Sequence, residues 1–292
     1  MNLIELLAEP LSYTFMVRAL AVTVIAAILC AVLSCWLVLI GWSLMGDAVS
    51  HAVLPGVVLA YIVGAPFALG ALVFGFLAVA LIGGVRDTSR LKEDAAIGIV
   101  FTTLFSFGLV LISVTPSHLD LNHIIFGNLL GVSAADLWQV IILGAVTFLI
   151  LVLKRKDFTL YAFDSTHAHA LGMNPRLIGA VLLGLLAMTS VVALQAVGVI
   201  LVVAMLIIPG ASAYLLTNSF GKMLIIAPGL AALAGIIGVY VSYYVDASTG
   251  GMVVLSQGAI FVLVYLFSPR QGLVAHRLML LRRRKTLEAA AK

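Results

Sequence analysis

The stretch Gly41-Trp42-Ser43-Leu44-Met45-Gly46-Asp47-Ala48-Val49-Ser50-His51-Ala52-Val53-Leu54-Pro55-Gly56 is a polar interruption between two apolar runs. Upstream, Tyr13 to Ile40 carries one charge, Arg18; downstream, Val57 to Val85 carries none. An aspartate at the centre of a bilayer costs about 2.5–3.5 kcal/mol on insertion scales. Ionisable residues in such a background face a cavity or a partner and mark a transport path. Asp47 and His51 are four apart, so on a helix they share one face, one turn apart. A carboxylate oxygen and an imidazole nitrogen so placed make half of a divalent-metal site. Gly46, Pro55 and Gly56 flank the pair, as in a helix that is broken, or begins, at membrane depth.

The rest of the chain fits that setting. Of 292 residues, 63% are hydrophobic and only 10% charged, which excludes a soluble domain and defines a polytopic α-helical membrane protein. The apolar runs are continuous rather than alternating, which argues against a β-barrel. They cover 13–40, 48–63, 67–85, 95–115, 135–153, 177–195, 198–217, 223–245 and 251–267, and a span needs about 20 residues. Run 48–63 is short and holds Pro55 and Gly56, so eight or nine transmembrane helices are expected in one membrane domain, 1–268, followed by a basic tail, 269–292. Glu5 and Glu9 precede the first run without a basic residue ahead of it, which is no signal-peptide pattern, so that run stays as a span.

Fifteen of the 16 Lys and Arg fall in four places: Arg86–Lys92, Lys154–Arg176, Lys222 alone, and Arg270–Lys292. By the positive-inside rule these places are cytoplasmic, as is the C-terminus. The segment between Arg176 and Asn218 then holds two spans with a tight outer turn near Gln195–Gly198. The tail sequence Arg282-Arg283-Arg284-Lys285 reads as a topology anchor beside anionic lipid rather than a nucleic-acid contact. Cys30 and Cys35, five apart in the first run, read as packing residues.

Each polar motif has two readings. Asp47 either ligates metal with His51 or caps a helix, its carboxylate accepting backbone N–H groups. Two ligands leave a metal site incomplete, and Ser50, Gln195, Gln257 or the same pair from a second subunit are the candidates to complete it. Within the Lys154–Arg176 loop, Asp164-Ser165-Thr166-His167-Ala168-His169-Ala170-Leu171-Gly172 reads as a short helix. Asp164 is its N-cap, Gly172 its stop, and Pro175 opens the next span. It is either a connector or a docking helix for a cytoplasmic motor protein, with Leu171 and Ala on a small apolar face. His167 and His169 are two apart and do not share a helix face. In the outer loop, His118, Asp120 and His123 are either solvated or a funnel for an approaching cation; the solvated reading is preferred. No G-x-x-x-x-G-K-[ST] occurs, so the chain has no P-loop for ATP, and no H-E-x-x-H of a zincin.

Taken together, Gly41 to Gly56, Ile124-Ile125-Phe126-Gly127-Asn128, Phe163 to Gly172 and Val203-Ala204-Met205-Leu206-Ile207-Ile208-Pro209-Gly210-Ala211 resemble the membrane permease subunits of bacterial ABC transporters for manganese, zinc and iron, the manganese/iron branch most of all. The resemblance runs through nearly the whole chain up to Ser268. It implies a permease dimer, homo- or heteromeric, two cytoplasmic ATP-binding subunits, and an extracytoplasmic metal-binding protein. It implies further that Asp47 and His51 are the intramembrane metal ligands and that 163–172 is the coupling helix, with Asp164, Ser165, Ala168, Leu171 and Gly172 at the ATPase.

The expected function is ATP-driven import of Mn²⁺ or Fe²⁺, with Zn²⁺ next, across the bacterial cytoplasmic membrane. The metal is cargo, and no cofactor is permanently bound. Three rivals remain: an ABC importer for a metal chelate such as a siderophore or cobalamin, which would not depend on Asp47 and His51; a secondary transporter, which would work without an ATPase; and a membrane metalloenzyme, which would need a third ligand and a general base.

Overall fold

A computed structural model describes residues 8–115, 131, 133–197, 199–268 and 272. Regular structure among them is helical throughout: a 3₁₀ turn at Pro10–Ser12, then α1 Thr14–Ile40, α2 Ser43–Ala52, α3 Leu54–Val63, α4 Phe67–Thr88, α5 Glu93–Val114, α6 Ala134–Leu153, α7 Arg155–Phe163, α8 Ser165–Ala170, α9 Pro175–Val197, α10 Val199–Leu216, α11 Phe220–Val245 and α12 Thr249–Phe267. Eight segments are long and apolar enough to cross a membrane, α2 and α3 counting together as Ser43–Val63. The apolar part of α10, Val202–Leu216, is shorter. The expectation of eight or nine spans therefore holds; α9 runs to Val197 and α10 begins at Val199, so the turn expected near Gln195–Gly198 rests on Gly198, outside the described residues. The tail 269–292, Gly272 aside, lies outside the described residues.

Helix α1 is the axis of the bundle. It is apolar all round, as a fully surrounded helix must be, and α6, α9, α10 and α11 pack on it. Cys30 and Cys35 are buried in it as free thiols, and Cys35 Sγ donates to the Ala31 carbonyl at 3.3 Å. They are packing residues, as their spacing suggested.

Ser34 of α1 serves a second helix. Pro209, inside α10, has no N–H to donate and disturbs the local hydrogen-bond ladder. Ser34 Oγ accepts from the Gly210 N–H at 3.1 Å and donates to the Ile207 carbonyl at 3.3 Å, so a neighbouring helix satisfies the backbone on both sides of the proline. Ser34→Ala is expected to remove both cross-helix bonds beside Pro209, costing about 1 kcal/mol or more. Thermal unfolding in detergent checks this: the midpoint should fall, and an unchanged midpoint would contradict the bridging role.

One end of the bundle gathers the basic segments. Trp36, near the end of α1, packs edge-on against Phe158 of α7 and Phe220 of α11, and its indole N–H donates to Thr159 Oγ1 at 3.2 Å. Arg86 of α4, Tyr161 of α7 and Arg176 of α9 line one cavity. Ser268, at the end of α12, donates to the Leu215 carbonyl at 2.7 Å. The first three basic places, and Ser268 just ahead of the fourth, thus adjoin the same end, in line with the charge pattern. At the opposite end Tyr13, before α1, meets Tyr243 of α11 at 6.3 Å.

Candidate metal centre on a broken helix

Helix α2 begins at Ser43, with Trp42 as its N-cap and no side-chain cap bond. Asp47 therefore sits in the second turn, and the alternative that it caps the helix does not hold. The polar look of Gly41–Gly56 concealed two helices joined by one residue: α2 stops at Ala52, Val53 joins, and α3 begins at Leu54 with Pro55 in its first turn. Proline is tolerated there because a first-turn N–H has no partner in its own helix.

The two faces of α2 differ. Met45, Gly46, Ala48, Val49 and Ala52 are buried, and Gly46 lies so near Leu206 of α10 that a Cβ would stand 3.1 Å from its Cδ1. Asp47 and His51 lie toward α5. His51 Nε2 is 3.2 Å from Asp47 Oδ1, with the imidazole 17% and the carboxylate 35% exposed. Phe105 meets the imidazole edge-on at 5.1 Å, and Phe101 lies 5.6 Å away. These rings fix the imidazole by packing. His51 Nδ1 is buried without a hydrogen-bond partner.

This geometry suits a shared cation. Two donors bound at about 2.1 Å stand about 3.0 Å apart at a right angle and about 3.4 Å apart at a tetrahedral angle. The observed 3.2 Å lies between. Counted at 1.5 Å per residue from Ser43, Asp47 and His51 lie about 6 and 12 Å into the span, on the side of the basic end.

Among the described residues no third His, Cys, Asp or Glu joins the pair. Ser50 does not join it, because its hydroxyl donates back to the Gly46 carbonyl at 2.6 Å within α2. Gln257 is 2% exposed with both amide atoms unpartnered, but it sits on α12, which packs chiefly on α10 and α11. Gln195 falls on α9, and its side chain lies outside the described groups, as do His118, Asp120 and His123 altogether. Phe101 and Phe105 gave no signal in the sequence. They read as ordinary span residues, and only tertiary packing brings them to His51.

The second candidate region is the α7–α8 hairpin at the basic end. Asp164 Oδ1 accepts from the Thr166 and His167 N–H groups, both at 2.9 Å, and Gly172 stops the turn with φ +81°. Both were legible in the sequence. Ala168 differs from expectation: it is fully buried and seats the helix on the bundle rather than facing outward. The outer surface is instead Ser165, Thr166, His167 and His169 with Leu171, which is 61% exposed. His167 and His169 are exposed, as their spacing suggested. The hairpin is tied to α2 as well, since Tyr161 of α7 packs on Trp42 at 6.2 Å.

A helical bundle with eight segments long and apolar enough to cross a membrane makes the chain a polytopic membrane protein, and the carboxylate–imidazole pair lies inside one of those segments. Residues 12–268 match the ABC 3 transport family, and the chain belongs to it. It is 49% identical over 269 residues to the manganese transport system membrane protein MntB of Synechocystis sp., covering 92% of this chain and 88% of that one. It is 50% identical over 262 residues to a probable iron transport system membrane protein of Haemophilus influenzae, covering 90% and 97%. Among solved structures, PsaBC from Streptococcus pneumoniae in complex with Fab superposes with a TM-score of 0.85 at 37% identity, over 92% of this chain and 98% of that one.

Proposed function

We propose that this chain is the permease subunit of an ATP-driven importer of a divalent transition metal, Mn²⁺ or Fe²⁺ first and Zn²⁺ next. The observation that carries the reading is the Asp47–His51 pair, two donors 3.2 Å apart on one face of an intramembrane helix. Family membership and the manganese and iron transport names of the relatives support it. An oxygen–nitrogen donor set suits Mn, Fe and Zn and disfavours Cu(I), which prefers sulfur.

Residues 1–268 form the permease domain and 269–292 a cytoplasmic basic tail, in the cytoplasmic membrane of a bacterium. Two permeases pair, as like or related chains, and two separate ATP-binding subunits dock on the basic, cytoplasmic end. An extracytoplasmic metal-binding protein delivers the ion. It enters between the permeases, is held transiently by the Asp47 carboxylate and the His51 imidazole, and leaves inward when ATP-driven closure reverses access. Among the described residues the pair gathers no third His, Cys, Asp or Glu, which fits a site finished by a second permease or by water. Such a weak site also lets the ion go. Ser165 of α8 and Leu171 just after it meet the ATPase, while Asp164, Ala168 and Gly172 hold α8 in shape and place. The Tyr161–Trp42 contact links that docking surface to the head of α2.

Uptake of radiolabelled Mn²⁺ and Fe²⁺ by cells whose partner ATPase carries a disabled P-loop tests the reading. Uptake should stop, whereas uptake that continues would move a secondary transporter ahead. A smaller effect is expected at the coupling helix. Asp164→Ala removes an N-cap worth about 1 kcal/mol from a helix of only six residues. Uptake should fall several-fold while metal binding by the permease stays unchanged; unaltered uptake would contradict a coupling role.

A further inference from the structure

A cavity of about 470 Å³ opens between α4 and α9 at the basic end, away from the Asp47–His51 pair. Its mouth carries Arg86 and Arg176, and its polar rim adds Trp42 and Tyr161. Deeper, Phe76, Val79, Ala80 and Leu183 make apolar walls. Gly83 and Gly84 keep α4 open there, since a Cβ on either would meet nothing within 4 Å. Leu77, Leu81, Leu177 and Val181 are exposed on the same two helices, so apolar helix faces flank the cleft.

From this arrangement we infer that the cleft is a binding site for an anionic phospholipid. Guanidinium groups match a phosphate with paired N–H donors, and basic pockets between spans near the cytoplasmic surface take anionic headgroups. Trp and Tyr at this depth belong to the headgroup level of a membrane. The length fits as well: from Arg86 to Phe76 is ten residues, about 15 Å of helix, and half of a hydrocarbon core is about the same. A phosphate at the two arginines therefore places an acyl chain along Ala80, Val79 and Phe76 toward mid-membrane. The lipid would lie against the Trp42–Tyr161 contact at the head of α2. The inference rests on the proposed reading that the basic end lies at the cytoplasmic surface, and is independent of the metal reading.

Trp42 supplies the readout. The full-length permease is placed in bilayers containing acyl-brominated phosphatidylglycerol or acyl-brominated phosphatidylcholine, and quenching is assigned to Trp42 by its loss in Trp42→Phe. Phosphatidylglycerol should quench at least fivefold more effectively than phosphatidylcholine. Arg86→Gln with Arg176→Gln should equalise the two lipids, each single change should narrow the gap, and thermal unfolding confirms that these variants fold. Gly84→Leu keeps both arginines but fills the groove, and should weaken quenching by both lipids. Equal quenching by the two lipids in the unaltered protein would overturn the inference, as would a preference that survives both arginine substitutions. Displacement of phosphatidylglycerol by millimolar inorganic phosphate would reassign the cleft to a soluble anion. Protection from both lipids that appears only on dimerisation would reassign it to a second copy of this chain.

Discussion

Asp47→Asn is expected to reduce metal accumulation to background while the permease reaches the membrane in normal amount. The substitution keeps the shape of the side chain and removes its charge. Loss of an outer-shell partner of a metal ligand typically lowers affinity 10–100-fold. Asp47 would be a direct donor and the only anionic one on its face, so the loss should be at least about 100-fold, or roughly 2.8 kcal/mol at 1.4 kcal/mol per decade. Folding should survive, because Asp47 caps nothing and its neighbour in the pair is His51 of the same helix. The check is metal uptake normalised to permease quantified in isolated membranes. Normal uptake at normal abundance would remove Asp47 from the pathway.

The largest effect on stability is expected at the α3–α4 hairpin. A Cβ on Gly56 would overlap the Gly70 carbonyl, and a Cβ on Gly70 would overlap the Gly56 carbonyl. The two backbones touch there, as small residues allow in membrane bundles. Gly56→Val forces the helices apart, and because the obstacle is backbone no rotamer relieves it. Overpacking costs typically 1–3 kcal/mol and occasionally more; this site belongs at or above about 3 kcal/mol. For a chain of this size that lowers the thermal midpoint by roughly 6–12 °C. Gly258→Ala, where a Cβ meets nothing within 4 Å, is the matched control and should move it by little. Equal midpoints for Gly56→Val and Gly258→Ala would show that the contact does not hold the hairpin together.

Local chemistry was legible in the sequence, and contacts across the bundle were not. Asp164, Gly172 and Pro175 act on backbone within a few residues, so the limits of α8 followed from their types alone. The three basic places among the described residues, fixed by the membrane rather than by packing, adjoin one end as predicted. The start of α2 was misread because Gly41 to Gly46 lowers the apolar content of a segment that packing against α10 nevertheless keeps helical. Ala168 was placed on the outward face because its type is equally at home buried or exposed. The aromatic setting of His51, some 50 residues away in sequence, and the bridge from Ser34 across the Pro209 break are tertiary facts. Arg86 and Arg176 read as topology anchors, and only the fold brings them to one cleft.

The most direct measurement is side-by-side uptake of radiolabelled Mn²⁺, Fe²⁺ and Zn²⁺ by cells carrying the unaltered permease, Asp47→Asn or His51→Ala at matched membrane levels. The expected result is that both substitutions abolish uptake of the same metal, which is then the preferred cargo. Uptake that persists in both would contradict the account, leaving Asp47 and His51 as structural residues and a chelate importer as the better description of the pathway.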